Sequence, residues 1–305
     1  MSRPLKVGVQ LPEVEREVRW PELLEMTRAI EDLGYDSVWI GEHLLYRWPE
    51  REPRGPWEAW TMLAAIAAST SRIEFGPLVA CTGFHNPALL AKQAATIDEI
   101  SGGRLILGLG AGWNETEFRA FGYPFDHRID RFEEAFTIIR TLLQEGAIDY
   151  EGRFYQARDC ELLPRGPRPG GPPLMIGSRG PRMLRIALPH VQSWNVWFSD
   201  TGNRPDGVPA LRELVDEACR EVGRDPAAVE RTVAVLVQLP GGTGRQSGGY
   251  SQATIPPLTG SPAAMAEVLR AYAHQGIGHV QLVIDPITVE SIRAVAPVLA
   301  ELDRA

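Results

Sequence analysis

The chain has 305 residues, 44% of them hydrophobic, a formal net charge of -8 and a pI near 5.4. That length suits a single large α/β domain, and the acidity disfavours nucleic acid as a partner without excluding an anionic ligand, whose binding is decided by local fields. Cys81, Cys160 and Cys219 stand far apart with no CxxC spacing, the N-terminus runs straight into a strand, and no apolar run could span a membrane. The expectation is therefore a cytoplasmic protein without a disulfide framework.

Leu5–Pro12 reads as a first strand, followed by a helix over Trp20–Leu33 with Pro21 in its first turn and Gly34 as its stop. Ser37–His43 reads as a second, buried strand that ends abruptly in two ionisable residues, Glu42 and His43. After a Pro- and Arg-rich loop, Arg47–Pro56, a helix is expected over Trp57–Ala68 and a third strand over Arg72–Ala80. Asn86 and Pro87 supply a cap and a first turn for a helix to Ile100, and Gly102-Gly103 turn the chain into a fourth strand, Arg104–Gly110.

Two helices, Asn114–Phe121 and Arg128–Gln144, come next, then a hairpin over Asp149–Leu163 turning at Glu151-Gly152, and a Pro/Gly-rich loop, Pro164–Pro173. The alternation then resumes. Strands are expected at Leu174–Ile176, Ser193–Phe198, Arg231–Leu239 and His279–Ile284, with helices at Pro181–Leu188, Pro209–Val222, Pro262–Gln275 and Val289–Leu302. Eight strand–helix units predict an α/β fold of the (β/α)8 TIM-barrel type, one domain over residues 1–305, with insertions after strands 4 and 7. The second insertion, Gly241–Pro257, is Gly-, Ser- and Gln-rich and reads as a loop on the active-site side.

In such a barrel the C-terminal strand ends carry the site. Glu42 and His43 stand at one of them, and His43 is the better proton carrier near neutral pH. Side chains alternate along a strand, so both can serve one site only if the strand has broken by Glu42; a surface turn or a structural ion pair is the alternative. The run Leu107-Gly-Leu-Gly-Ala-Gly-Trp-Asn114 has a G-x-G but Trp113 where a dinucleotide fingerprint needs Gly or Ala. It reads either as a tight connection or as close backbone approach to a planar ligand, with Trp113 and Asn114 as contacts. Ile176-Gly177-Ser178-Arg179-Gly180-Pro181, a strand end opening into a helix, is the best candidate for a phosphate, with Arg179 and Arg182 adding charge. Cys81 reads as a small buried hydrophobe. The six histidines are scattered and no metal-binding pattern occurs, so no metal is expected.

The chain resembles the bacterial luciferase-like family of flavin- and deazaflavin-dependent oxidoreductases. The resemblance rests on Val7-Gly-Val-Gln-Leu-Pro12, Asp36-Ser-Val-Trp-Ile-Gly-Glu-His43, Asn86-Pro-Ala-Leu-Leu-Ala-Lys92 and Ile100-Ser-Gly-Gly-Arg104, then the run ending at Asn114, Tyr150-Glu-Gly-Arg-Phe-Tyr155 and Pro173-Leu-Met-Ile-Gly177. It implies a non-proline cis peptide at or next to Leu78–Val79, with Leu78, Val79 and Ala80 backing the cofactor ring and its phosphate at Gly177–Gly180. Within the family the chain is most similar to the branch that uses coenzyme F420, with FMN-dependent monooxygenases as the alternative. The implied activity is hydride transfer to or from a small organic substrate, an alcohol/ketone or an activated C=C, in a homodimer with no nucleic-acid or membrane partner. Sugar-phosphate dehydrogenases of that branch carry glutamate where Trp113 stands and a tryptophan near Arg47, and this chain departs from both. Two other readings are a non-catalytic relative that binds a flavin or no cofactor, and a hydrolytic or lyase barrel, for which opposed carboxylates or metal ligands at other strand ends are missing.

Overall fold

The computed structural model describes residues 3–49, 51–243 and 255–304. Eight parallel strand positions form a closed ring: β1 (Lys6–Gln10), β2 (Ser37–Ile40), β3 (Glu74–Pro77, resuming at Ala80–Cys81), β4 (Leu107–Gly110), β5 (Leu174–Gly177), β6 (Ser193–Val196), β7 (Glu230–Gln238) and β8 (Ile277–Asp285). Neighbours pair in the order β3-β2-β1-β8-β7-β6-β5-β4, and Ala80–Cys81 returns to pair with β4, so the last strand meets the first. A bridge between Phe75 and Leu105 ties the lower part of the same seam. Strands of such a ring are covered on both faces, which is why β2, β4 and β6 are buried at every residue and read as unbroken apolar or small runs rather than alternating ones.

The third strand carries the non-proline cis peptide that the family resemblance implied, at Leu78–Val79. It divides the expected run Arg72–Ala80, separating the part that pairs with β2 from the part that pairs with β4. The side chain of Val79 crosses the barrel mouth into space left by glycines. A Cβ at Gly110 would lie 2.9 Å from a Val79 methyl, one at Gly108 2.9 Å, and one at Gly177 3.0 Å.

The segment expected as a loop after His43 contains an antiparallel hairpin, Tyr46–Trp48 with Arg51–Arg54. Its Pro and Arg content hides it, but Tyr46 and Trp48, two residues apart on one face, stack at 5.7 Å. The second helix starts at Ala59, not Trp57, because Glu58 caps it by accepting Trp60 N–H and Thr61 N–H at 2.9 and 2.7 Å. The helix expected over Val289–Leu302 divides into Val289–Val295 and Pro297–Asp303, since Pro297 offers no N–H to continue the first. After β4 come helices Glu115–Phe121 and Arg128–Glu145 and a hairpin of Ala147–Glu151 with Gln156–Glu161. Of the Gly241–Pro257 loop, residues 244–254 lie outside the described part. Among the described residues no helix is long and apolar enough to cross a membrane.

The barrel interior below the mouth is partly polar. Trp39 Nε1 donates to Ser37 Oγ at 2.7 Å, and Ser37 Oγ lies 2.7 Å from His279 Nε2. The indole can only donate, so the serine oxygen accepts from it, and the same hydroxyl shares one proton with the imidazole Nε2. Burial, with Lys6 adding to it, pushes the His279 pKa down to about 3.

Candidate active site

A cavity of about 560 Å³ opens at the C-terminal ends of the strands. β2 ends at Ile40, so the chain has left strand geometry before Glu42, and both Glu42 and His43 reach this cavity. They do so in different ways. Glu42 is 5% exposed and its two oxygens are taken up by the protein. Oε1 accepts Trp60 Nε1–H at 2.9 Å and lies 2.7 Å from His85 Nε2, while Oε2 accepts the Cys81 N–H at 2.6 Å. His43 instead meets Glu117 Oε1 through Nδ1 at 2.9 Å, and its Nε2 lies 3.8 Å from Glu13 Oε1.

The surroundings of His43 are acidic and aromatic. Tyr46 and Trp113 pack against its ring with centroids 4.7 and 5.5 Å away. The Tyr46 hydroxyl donates to Glu13, and Gln10 Nε2 donates to the other Glu13 oxygen at 3.4 Å. Glu13 can fold over the end of β2 because position 41 is glycine: a Cβ there would come within 2.5 Å of the Glu13 carboxylate. Burial works against a charge on His43, but Glu13, Glu117 and Glu42 outweigh it and leave the imidazole pKa raised.

Among the other expected site residues, Leu78, Val79, Ala80, Trp113, Gly177, Ser178 and Arg179 all line the same cavity. Three do not. Ile176 is wholly buried in the core; its neighbour Gly177 carries the wall. Asn114 turns away and donates from Nδ2 to the Leu45 carbonyl at 3.0 Å, which holds the hairpin to the β4 connection. Gly180 sits outside the wall and donates its N–H to Ser178 Oγ at 3.2 Å. Of the two arginines, Arg179 pairs with Asp200 at 2.9 Å, on the cavity wall, while Arg182 is held by Asp130 and Glu133 on the helix Arg128–Glu145. Arg128, from that helix, also reaches the cavity.

Glu13, Tyr46, His85 and Glu117 are site residues that the sequence did not single out. Glu117 had a signal: Asn114-Glu-Thr-Glu117 has the spacing of a helix capping box. Asn114 makes no cap bond, however, and the Glu117 carboxylate leaves the helix end for His43 and the Leu44 N–H.

Acids surround His43 at the ends of β1 and β2; on the far side Arg179, paired with Asp200, follows the end of β5, and Arg128 lies over the connection after β4, donating to the Gly112 carbonyl. Between them lies the apolar ridge of Leu78, Val79 and Ala80. At the cavity, Gln10 is 1% exposed and among the described residues its Oε1 accepts no hydrogen bond, which leaves an acceptor open to a donor from water or a ligand.

Comparison with known proteins places these features in context. The sequence profile described as luciferase-like monooxygenase matches residues 6–240. A 5,10-methylenetetrahydromethanopterin reductase of Archaeoglobus fulgidus is 34% identical over 230 residues, 75% of this chain and 63% of that protein. An F420-dependent glucose-6-phosphate dehydrogenase of Intrasporangium calvum is 35% identical over 172 residues, 54% of this chain and 50% of that protein. The chain therefore spans between half and just under two thirds of these relatives' length. A solved F420-dependent secondary alcohol dehydrogenase superposes with a TM-score of 0.80 over 99% of both chains at 18% identity, a likeness of fold.

Proposed function

The chain belongs to the luciferase-like monooxygenase family, and on that premise we propose that it is an oxidoreductase that uses coenzyme F420 to move a hydride to or from a small organic substrate, an alcohol/ketone pair or an activated C=C bond. The observation that carries this reading is the position of His43. With its Nδ1 taken up by Glu117, it lines a cavity that has an apolar ridge suited to a planar ring on one side and an arginine-bearing strand end suited to a phosphate on the other. The names of the relatives support F420 over FMN.

The residues present fit such a cofactor. Leu78, Val79 and Ala80 would back the ring, the Gln10 Oε1 would meet a ring N–H, and Gly177, Ser178 and Arg179 would hold the phosphate. When bound, the deazaflavin supplies the hydride-accepting or hydride-donating carbon; the protein supplies orientation and proton transfer.

His43 handles the proton. In alcohol oxidation the substrate O–H proton passes to Nε2 as the C–H hydride departs and the C–O bond becomes C=O; carbonyl reduction reverses both transfers. Glu42 does not touch the substrate in this scheme. It anchors the Cys81 end of β3 and adds negative charge near His43. Trp113, 41% exposed at the mouth, forms a wall of the substrate space. The reading extends to a single barrel domain and a cytoplasmic homodimer, supported by the family resemblance.

Titration with oxidised and reduced F420 and with FMN, followed by fluorescence, tests the cofactor. Binding of F420 in preference to FMN is expected; binding of FMN alone moves the protein to the monooxygenase reading, and binding of neither removes the oxidoreductase reading. Replacing His43 by Ala should leave F420 binding largely intact and lower turnover by about 10²–10⁴-fold. An unchanged rate takes His43 out of the mechanism.

A further inference from the structure

We infer that Glu117 is a positioning residue for His43, holding the imidazole in the tautomer with its proton on Nδ1 so that the Nε2 lone pair faces the substrate space. The inference rests on His43 being the proton-transfer group proposed above, but the geometry stands without the cofactor.

Glu117 is 1% exposed, on the first turn of the helix Glu115–Phe121. Its Oε1 lies 2.9 Å from His43 Nδ1. Its Oε2 accepts the Leu44 N–H at 2.8 Å and the Leu45 N–H at 3.4 Å. One carboxylate therefore grips both the ring of His43 and the backbone that follows it. A carboxylate accepts only, so the short contact to Nδ1 requires an N–H there. The neutral ring then presents an acceptor at Nε2, which has no hydrogen bond among the described residues. Its nearest carboxylate oxygen, Glu13 Oε1, is 3.8 Å away and already accepts the Tyr46 hydroxyl.

The charged and titratable groups that face His43 come from three segments. Glu13 follows β1, Glu42 and Tyr46 flank His43 in its own stretch, and Glu117 arrives from the helix after β4. Among the described residues only Glu117 makes a hydrogen bond to the ring. Glu13 and Glu42 bias its charge; Glu117 alone can select its tautomer. When Nε2 takes up a proton, the same carboxylate faces the Nδ1–H of the imidazolium and stabilises it, so Glu117 supports both forms that the proton transfer needs.

The test is ¹⁵N NMR of the cofactor-free protein labelled at histidine, with the His43 signal assigned by its loss in His43→Gln. Long-range N–H couplings should show the neutral wild-type ring protonated at Nδ1. In Glu117→Gln the His43 pKa should fall by about one unit, because the partner charge is gone. With F420 bound, kcat should fall about 10–100-fold with its acid limb displaced the same way, as when an orienting partner is lost, while the F420 Kd stays within about twofold of wild type. A wild-type ring protonated at Nε2, or a Glu117→Gln protein whose His43 titrates where the wild type does, overturns the inference. The wild-type tautomer decides it even if the variant folds poorly. Failure of F420 to bind would instead count against the cofactor assignment.

Discussion

The Glu42 carboxylate accepts the backbone N–H of Cys81 at 2.6 Å, and so pins the upper segment of β3 to the end of β2. The two segments of β3 pair with different neighbours, β2 below and β4 above. Glu42 is the side chain that clamps this change of partner from the β2 side. It also holds Trp60 and His85, so three donors converge on one buried carboxylate.

Replacing Glu42 by Ala should cost about 2–4 kcal/mol of stability, since it strands buried donors as well as removing an acceptor. Because Cys81 follows the Leu78–Ala80 ridge directly, F420 affinity should fall too. Urea unfolding and a cofactor titration on the same variant measure both. A protein of wild-type stability that has lost only turnover would make Glu42 a catalytic residue after all.

A packing test follows from Val79. A Cβ at Gly110 would meet a Val79 methyl at 2.9 Å, and its next contact lies at 3.9 Å. Valine is stiff about χ1, so the methyl cannot turn aside cheaply. Gly110→Ala should weaken F420 binding and destabilise the chain by about 1–3 kcal/mol. Adding Val79→Ala removes the methyls and should recover most of the loss in stability. Double-mutant analysis of unfolding and binding gives the coupling; additive losses would mean that Gly110 is required for something other than Val79.

His43 carries a stability signature of its own. Burial lowers its pKa, and Glu13, Glu117 and Glu42 raise it further than burial lowers it, so the folded value lies above that of the unfolded chain. The folded state therefore holds the proton more tightly. The contribution is fully present below the unfolded pKa of about 6.5 and is lost as pH rises through the folded value. The stability difference between wild type and His43→Gln should be largest below about pH 6.5 and shrink on the alkaline side. Denaturation midpoints across pH 5.5–9 check it, and a difference that grows with pH contradicts it.

The eight-fold alternation was legible because each unit has its own punctuation, such as Asn86-Pro87 before one helix and Gly102 after it. That Gly177–Arg179 and His43 line the cavity was legible for the same reason: they stand where a strand's apolar run stops. The acids around His43 were not. Glu13 reaches the site across Gly41, and Glu117 arrives from 74 positions along the chain. Neither contact has a local periodic signature. The G-x-G of Gly108 and Gly110 shows a further limit. The sequence left a tight connection and the close approach of a planar ligand both open, and in the structure the Val79 side chain lies against these glycines.

His279 should act on stability in the opposite sense to His43. It is buried in the barrel interior within hydrogen-bond distance of the Ser37 hydroxyl, with its pKa pushed down to about 3. The unfolded chain binds a proton there near pH 6.5, and the folded chain does so only near its own depressed value. Between those limits the unfolded state holds more protons, so acid favours unfolding with a slope approaching 1.4 kcal/mol per pH unit from this one group. The contribution is intact above the unfolded pKa and is lost as pH falls through the window to about 3. Other carboxylates titrate over the same range, so the quantity to measure is the difference between wild type and His279→Gln. Glutamine can still accept from Ser37 but takes up no proton. The variant should be the less stable protein at pH 7, by about 1–3 kcal/mol from altered packing. Its disadvantage should narrow as the pH is lowered from 6.5 to 4, because only the wild type gains a proton at this position on unfolding. A gap that stays constant over that range would mean that His279 is already hydrated or charged in the folded barrel.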